Sequence, residues 1–240
     1  MSNQIKKLYI LRHGETNMNI NDSKDRLLKQ PENTSINENG KEQAKKTGIY
    51  LKNRDKINLI ICSPTLRCKQ TAEIICEQIG YDKSNIIFEK NLVETQINPK
   101  YKNITRKEFE NLKDSDHNVS SYFKFLEKKN QIKTPIELNE FLIKYDSNNK
   151  VNVYENSESL SSRLNEVIEK IKFLPTNNIL IISHGGTIRW LNKLITNNIG
   201  YDEFKGKIVK NNSNCALTYY INNGGEFFLV SANSNHHLLN

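Results

Sequence analysis

Short apolar runs separated by long polar stretches set the rhythm of the chain. KKLYILR (6–12), INLIICS (57–63), NIIFE (85–89), NILIIS (178–183), ALTYYI (216–221) and EFFLVS (226–231) are short and rich in β-branched and aromatic residues, and are predicted as strands. Several are apolar without alternation, as strands covered on both faces must be. Between them apolar positions recur at helical spacing: Ala44, Gly48 and Leu51; Cys68, Ala72, Ile75, Cys76 and Ile79; Leu160, Leu164, Val167, Ile168, Ile171 and Leu174. The alternation predicts an α/β fold, three layers α/β/α around a mostly parallel sheet. The last two runs flank NNGG (222–225) and are expected to form an antiparallel hairpin at the sheet edge.

Residues 95 to about 150 interrupt this pattern. They carry two weaker helical stripes, Val119, Phe123 and Leu126, then Leu138, Phe141, Leu142 and Tyr145, with too few apolar positions to predict a core of their own. The expectation is a single domain over 1–240 with an insertion or lid at about 95–150. Two readings of the segment stay open, a cover over one end of the sheet or a surface decoration. The tail SANSNHHLLN is expected to fray.

Composition narrows the ligand class. With 36% apolar residues and a mean hydropathy of −0.67, the core must sit in those few runs. A net charge of +8 and a pI near 9.1 favour anionic ligands: phosphate esters, nucleic acid or acidic lipid. No nucleic-acid-binding motif is visible, which argues against the second. Cys62, Cys68, Cys76 and Cys215 form no CxxC pair and no metal-type spacing with histidine, so they read as core thiols and no metal site is expected. The start MSNQIKK has no apolar targeting region and no run approaches membrane-spanning length. A cytoplasmic protein without a membrane partner is expected.

The strand ends carry the candidate chemistry. KKLYILR ends on Arg12 and His13 with Gly14 behind; NILIIS runs into His184, Gly185 and Gly186; INLIIC leads into SPTLRCKQTA, which puts Arg67 in the first turn of a helix. In a parallel sheet ligands bind at the carboxyl ends of the strands. One strand-end histidine is an ordinary structural residue, whereas three such endings together point to a cationic pocket. Guanidinium groups and the backbone N–H groups of a helix starting at Gly185 or Thr65 suit a phosphate. A neutral imidazole there can attack phosphorus, splitting one displacement into two.

RHGETNMN (12–19), SPTLRCKQTA (63–72), LVE (92–94) and SHGGTIR (183–189), in that order, resemble the histidine phosphatase superfamily in its phosphoglycerate mutase-like branch. SINENGKEQA (35–44) is similar to the family's helix-opening segment. The resemblance implies that His13 is the nucleophile, that Arg12, Arg67 and His184 hold the phosphoryl oxygens, that Asn19 donates to phosphate, and that Glu94 is the proton donor. Glu15 and Thr16 fit the motif, Glu15 as an orienting group. It also implies a phosphomonoesterase without cofactor or metal, acting on a phosphorylated small molecule or phosphoprotein. A mutase-type phosphotransferase and a non-catalytic phospho-ligand binding module are the alternatives. Glu158 and Ser159 match a family Glu-Ser pair but also simply open a helix. Arg189 and Trp190 read as packing or ion-pair residues, and His117, His236 and His237 as solvated. After Glu94 the chain reads TQINPKYKN, without the family's features that select a substrate.

Overall fold

The computed structural model describes residues 6–131, 153–196, 213–223 and 226–239. The stripe from Leu138 to Tyr145 and the glycines of the NNGG turn lie outside the described residues. The chain divides into two compact units, one of Met1–Ile20, Glu32–Glu94 and Ser162–Asn240, the other of Asn21–Pro31 and Thr95–Ser161.

The first unit is built on a six-stranded sheet, β1 (Lys6–Arg12), β2 (Leu59–Cys62), β3 (Ile87–Phe88), β4 (Asn178–Ser183), β5 (Leu217–Asn223) and β6 (Glu226–Ser234), in the order β3-β2-β4-β1-β5-β6. β1, β2, β3 and β4 run parallel, while β5 is antiparallel to β1 and to the edge strand β6. This is the α/β fold with the antiparallel edge pair that the strand pattern predicts. Helices α1 (Asn17–Ile20), α2 (Glu38–Lys52), α3 (Leu66–Ile79) and α7 (Gly185–Ile195) follow the strands, and α6 (Ser157–Phe173) leads back to β4.

Both faces of the central strands are buried, whereas the edge strands β3 and β6 carry exposed residues. On one face, Tyr9, Leu11, Ile60, Cys62, Leu180 and Ile182 pack with Ala44 and Leu51 of α2 and Cys68, Ala72, Ile75 and Cys76 of α3. Tyr9 and Tyr219, opposite each other in the ladder, stack with ring centroids 4.8 Å apart. On the other face Leu8, Ile10, Ile179, Ile181 and Tyr220 are buried, and the Tyr220 hydroxyl donates to Asn192 of α7 (2.9 Å). Continuous apolar runs are required because alternate residues of each strand enter different halves of this core.

The second unit corrects one expectation. Ile97, Tyr101, Phe109, Val119 and Val153 form a core of their own, flanked by Leu28, Ile104, Leu112, Tyr122, Phe123 and Tyr154. Helix α4 (Arg106–Asn111), opened by a Thr105–Glu108 capping box, and α5 (His117–Gln131) contribute to it. The apolar count misses it because the contributors are scattered along the chain without helical periodicity, and the aromatic ones, Tyr101, Phe109, Tyr122, Phe123 and Tyr154, each bring a large area. Asp116 ties the cluster together. It accepts from Lys100 Nζ (2.5 Å), the Tyr101 hydroxyl (2.9 Å) and the backbone N–H groups of Asn118 and Val119, and Lys100 foremost pulls its pKa down to about 2.

The tail is also not frayed. A single turn, His236–Leu238, lies on α2: His237 is buried against Tyr50 and Thr47, and Lys46 Nζ donates to the Leu238 carbonyl (3.1 Å). The expectation that His237 is solvated fails with it, because its ring supplies apolar area to Tyr50 while one nitrogen finds protein acceptors.

Where β1 ends, backbone meets backbone. A Cβ on Gly14 would lie 2.5 Å from the Gly40 carbonyl oxygen, and one on Gly40 would press on the backbone of Glu15, including its nitrogen at 2.7 Å. Gly40→Ala should therefore destabilise the protein by ~1–3 kcal/mol, overriding a helix-propensity gain of ~1 kcal/mol. Gly48→Ala, whose Cβ would lie 2.7 Å from Gln78 Cβ, should cost less because a small shift of α3 on α2 relieves the contact, whereas at Gly40 the new Cβ meets backbone atoms of the strand end. Urea unfolding of both variants checks the order, and a Gly40→Ala protein as stable as wild type would show that α2 does not press on the strand end.

Candidate active site

Three parallel strands deliver the site. Arg12 pairs with Ser183 and Cys62 with Ile182, so β1, β4 and β2 end at one level. Backbone bonds carry the pairing past the strands: His13 N–H to Ser183 O (3.0 Å) and Ser63 N–H to Ile182 O (2.9 Å). His13 and His184 thereby come together edge to face, with ring centroids 5.3 Å apart.

Each imidazole has an assignable tautomer. His13 Nδ1 lies 2.8 Å from the Gly14 carbonyl, which can only accept, so Nδ1 carries the hydrogen and Nε2 keeps its lone pair. Burial first, then the neighbouring His184, Arg12 and Arg67, hold the His13 pKa well below the usual histidine value. The ring is therefore held in its neutral form at neutral pH. His184 is the reverse case. Its Nδ1 accepts from Arg67 Nη2 (3.1 Å), and Nε2 donates to Ser63 Oγ (2.9 Å), with Thr65 Oγ1 and Cys68 Sγ slightly farther off. Both nitrogens thus have protein partners, and the ring aims the guanidinium.

Arg67 is fully buried in the first turn of α3, and Arg12 lies against Gly185, where an added Cβ would be 3.6 Å from Arg12 Nε. Burial lowers the pKa of both guanidinium groups, and the charge of Glu94 opposes the loss in each case. Glu94 is placed by two hydroxyls: Ser183 Oγ donates to Leu92 O (2.7 Å) and Thr187 Oγ1 to Val93 O (2.8 Å). Its carboxylate accepts from the N–H groups of Gly186 (3.2 Å) and Thr187 (3.1 Å). The first turn of α7 therefore holds the glutamate, a use of that N-terminus other than the direct phosphate contact its glycines suggest.

The loop after His13 is clamped from several sides. Gly14 N–H donates to Thr71 Oγ1 (3.0 Å), Glu15 N–H to Gln43 Oε1 (3.0 Å), and Asn37 Nδ2 to Glu15 Oε1 (2.9 Å). Glu15 is thus an orienting group. Asn19 Oδ1 accepts from Thr16 N–H (3.0 Å), Thr16 Oγ1 (3.1 Å) and Asn214 Nδ2 (3.1 Å). Its oxygen fixes the turn, which leaves the amide hydrogens as its donor side.

Several contributors carry no motif of their own. Ser63, Thr65, Thr71 and Thr187 sit inside the quoted motifs, but their partners emerge only in three dimensions. Asn214 and Cys215 come from far along the chain: Asn214 Nδ2 donates to His13 O (3.0 Å) and Cys215 N–H to Arg12 O (3.1 Å). Cys68 and Cys215 are buried thiols, with burial raising their pKa to about 11 and about 12, so both stay protonated. Arg189 is exposed on α7 and its charge acts on Arg12, while the Trp190 ring packs under Lys193 Nζ at 4.6 Å. Glu158 and Ser159 are exposed, and Ser159 N–H is capped by Asn156 Oδ1 (2.8 Å), so they open helix α6.

Comparison with known proteins fits this arrangement. A broad-specificity phosphatase of Saccharomyces cerevisiae is 24% identical over 98% of this chain and 89% of its own. Among solved structures, a phosphoglycerate mutase from Bacillus anthracis superposes with a TM-score of 0.68 at 21% identity, covering 99% of this chain and 96% of that one. The α-ribazole phosphatase of Shigella flexneri gives 0.68 at 19% identity over 95% and 96% of the two chains. These structural likenesses establish the fold. The family model of the histidine phosphatase superfamily, branch 1, matches residues 8–235, and with that span the chain belongs to this superfamily.

Proposed function

We propose that the protein is a phosphomonoesterase that passes a phosphoryl group to His13 Nε2 and then to water. The observation that carries this reading is the His13 ring: buried, neutral, its hydrogen fixed on Nδ1 by Gly14, and lying in the electrostatic field of two guanidinium groups, Arg12 and Arg67. Two cations and one carboxylate leave a net positive site for a phosphate ester. Arg12 and Arg67 gather the equatorial oxygens and stabilise the charge spread over them in the transition state. In the first step the Nε2–P bond forms, the bond from phosphorus to the ester oxygen breaks, and Glu94, having taken the proton that a monoanionic phosphate ester brings into the site, passes it to the departing alkoxide. In the second step Glu94, now a carboxylate, takes a proton from water as its oxygen attacks phosphorus and frees His13.

Small phosphorylated molecules are the substrate class we assign, supported by the yeast relative's description as a broad-specificity phosphatase. The place of Glu94, fixed on α7 beside Arg12, favours turnover over mere binding, since a binding module has no use for a proton donor.

Rapid quenching without acid followed by peptide mapping should locate an acid-labile phosphate on His13. Phosphate on Ser63 or His184 would sink the assignment. Activity should survive thorough chelation, because Arg12 and Arg67 supply the positive charge; strict dependence on added magnesium or zinc would overturn that. Glu94→Gln should slow phosphoenzyme formation from alkyl phosphates by ~10²–10⁴-fold and from p-nitrophenyl phosphate far less, since nitrophenolate leaves without a proton. Arg67→Ala should slow both alike in the same single-turnover measurement. Equal losses with both leaving groups in Glu94→Gln would place the proton donor elsewhere.

A further inference from the structure

We infer that His237, next to the end of the chain, is a positioning residue for the nucleophilic strand end, acting through the Cys215 backbone; its kinetic consequence rests on the phosphatase reading above. The ladder between β1 and β5 stops at Leu11 opposite Leu217. Beyond it, the turn before β5 continues the pairing: Arg12 N–H to Ala216 O (3.4 Å), Cys215 N–H to Arg12 O (3.1 Å) and to His13 O (3.4 Å), with Asn214 Nδ2 on His13 O (3.0 Å).

That pairing requires an unfavourable backbone. Cys215 has φ of 53°, the left-handed region, which is unfavourable for a residue with a side chain and persists only where the surroundings hold it. One side is held by its N–H on Arg12. The other is held by His237, whose Nε2 lies 3.2 Å from the Cys215 carbonyl and 3.0 Å from Thr47 Oγ1. Thr47 Oγ1 gives its own hydrogen to Gln43 O (2.8 Å), so both neighbours accept and Nε2 must carry the hydrogen. Burial lowers the His237 pKa to about 4, so the ring is neutral with that one hydrogen. Nδ1 is buried with no hydrogen-bond partner among the described residues. Tyr50, stacked on the ring at 5.0 Å, and the Lys46 bond to Leu238 fix the strap.

Without the His237 N–H the Cys215 carbonyl loses its protein donor, the residue can relax out of the left-handed region, and its N–H leaves Arg12. The carbonyls of Arg12 and His13 then lose the contacts that set the His13 ring against Arg67 and His184. Misplacement on this scale is worth up to ~10²-fold in rate.

The test compares variants of the full chain on p-nitrophenyl phosphate. His237→Ala should lower kcat by ~10–100-fold with KM changed less than about threefold. His237→Gln, whose amide N–H reaches the Nε2 position, should recover kcat to within about threefold of wild type. Ile57→Val, a core change remote from the strand end, serves as the stability control and should leave kcat unchanged. If His237→Ala does not fold, His237→Asn replaces it, its shorter amide falling short of the Cys215 carbonyl. A second readout needs no turnover: the imidazole ¹⁵N resonances of His13 should report the Nδ1–H form in wild type and His237→Gln, and shift or broaden in the deficient variant. Wild-type kcat in His237→Ala, a His237→Gln variant as slow as His237→Ala, or an equal loss in Ile57→Val would overturn the inference. If wild type hydrolyses no phosphate ester, the phosphatase reading falls, and the imidazole comparison alone decides the positioning role: unchanged His13 resonances in the deficient variant would refute it.

Discussion

The site depends on one backbone register. The bond from His13 N–H to Ser183 O, extending the parallel pairing of β1 with β4, sets His13 beside His184. A slip of one residue would turn every side chain of β1 to the opposite face, sending Tyr9 and Leu11 out of their half of the core and His13 away from its partner. Because both faces are apolar, alternation alone does not prevent the slip. Shape does. Tyr9 stacks on Tyr219, and Gly14 touches Gly40 too closely for any other register to place a side chain there.

That register forces an electrostatic compromise. Two guanidinium groups are withdrawn from water next to a buried imidazole, and burial, which keeps the imidazole uncharged, acts against the charge of both guanidinium groups. Glu94 offsets part of that cost, and helix α7 holds Glu94. The left-handed Cys215 adds backbone strain to the same place. Stability is spent where function is concentrated, which accounts for the number of hydroxyl and amide clamps around the loop.

The sheet is legible in the sequence because its strands are short, apolar and β-branched, and the principal candidate residues because each stands at the end of such a strand or in the first helical turn that follows it. Arg12, His13, Arg67 and His184 can be placed from that logic alone, and the ordered motifs carry Glu94. Other features obey no local rule. The core of Tyr101, Phe109 and Val153 is assembled from pieces whose apolar residues have no common period. Asn214 supports the backbone of His13 from a polar stretch indistinguishable from other asparagine-rich segments. His237 sits in a tail of polar composition, and only its stacking on Tyr50 shows that it is buried. Sequence pattern reports burial along one element; these residues are defined by contacts between elements distant in the chain.

The strand order has a consequence for the making of the protein. β1 is first in sequence yet central in the sheet, and its two neighbours, β4 and β5, belong to the last third of the chain. On a translating ribosome, at about 5–20 residues per second, its apolar residues wait ~10–40 s before β5 is complete. Over that interval Leu8, Tyr9, Ile10 and Leu11 have no native strand to pair with, and an unpaired apolar strand is a template for association with other chains. The same topology that puts the first histidine in the middle of the site leaves the nascent chain dependent on a shielding factor, or on dilution, until its C-terminal third is made.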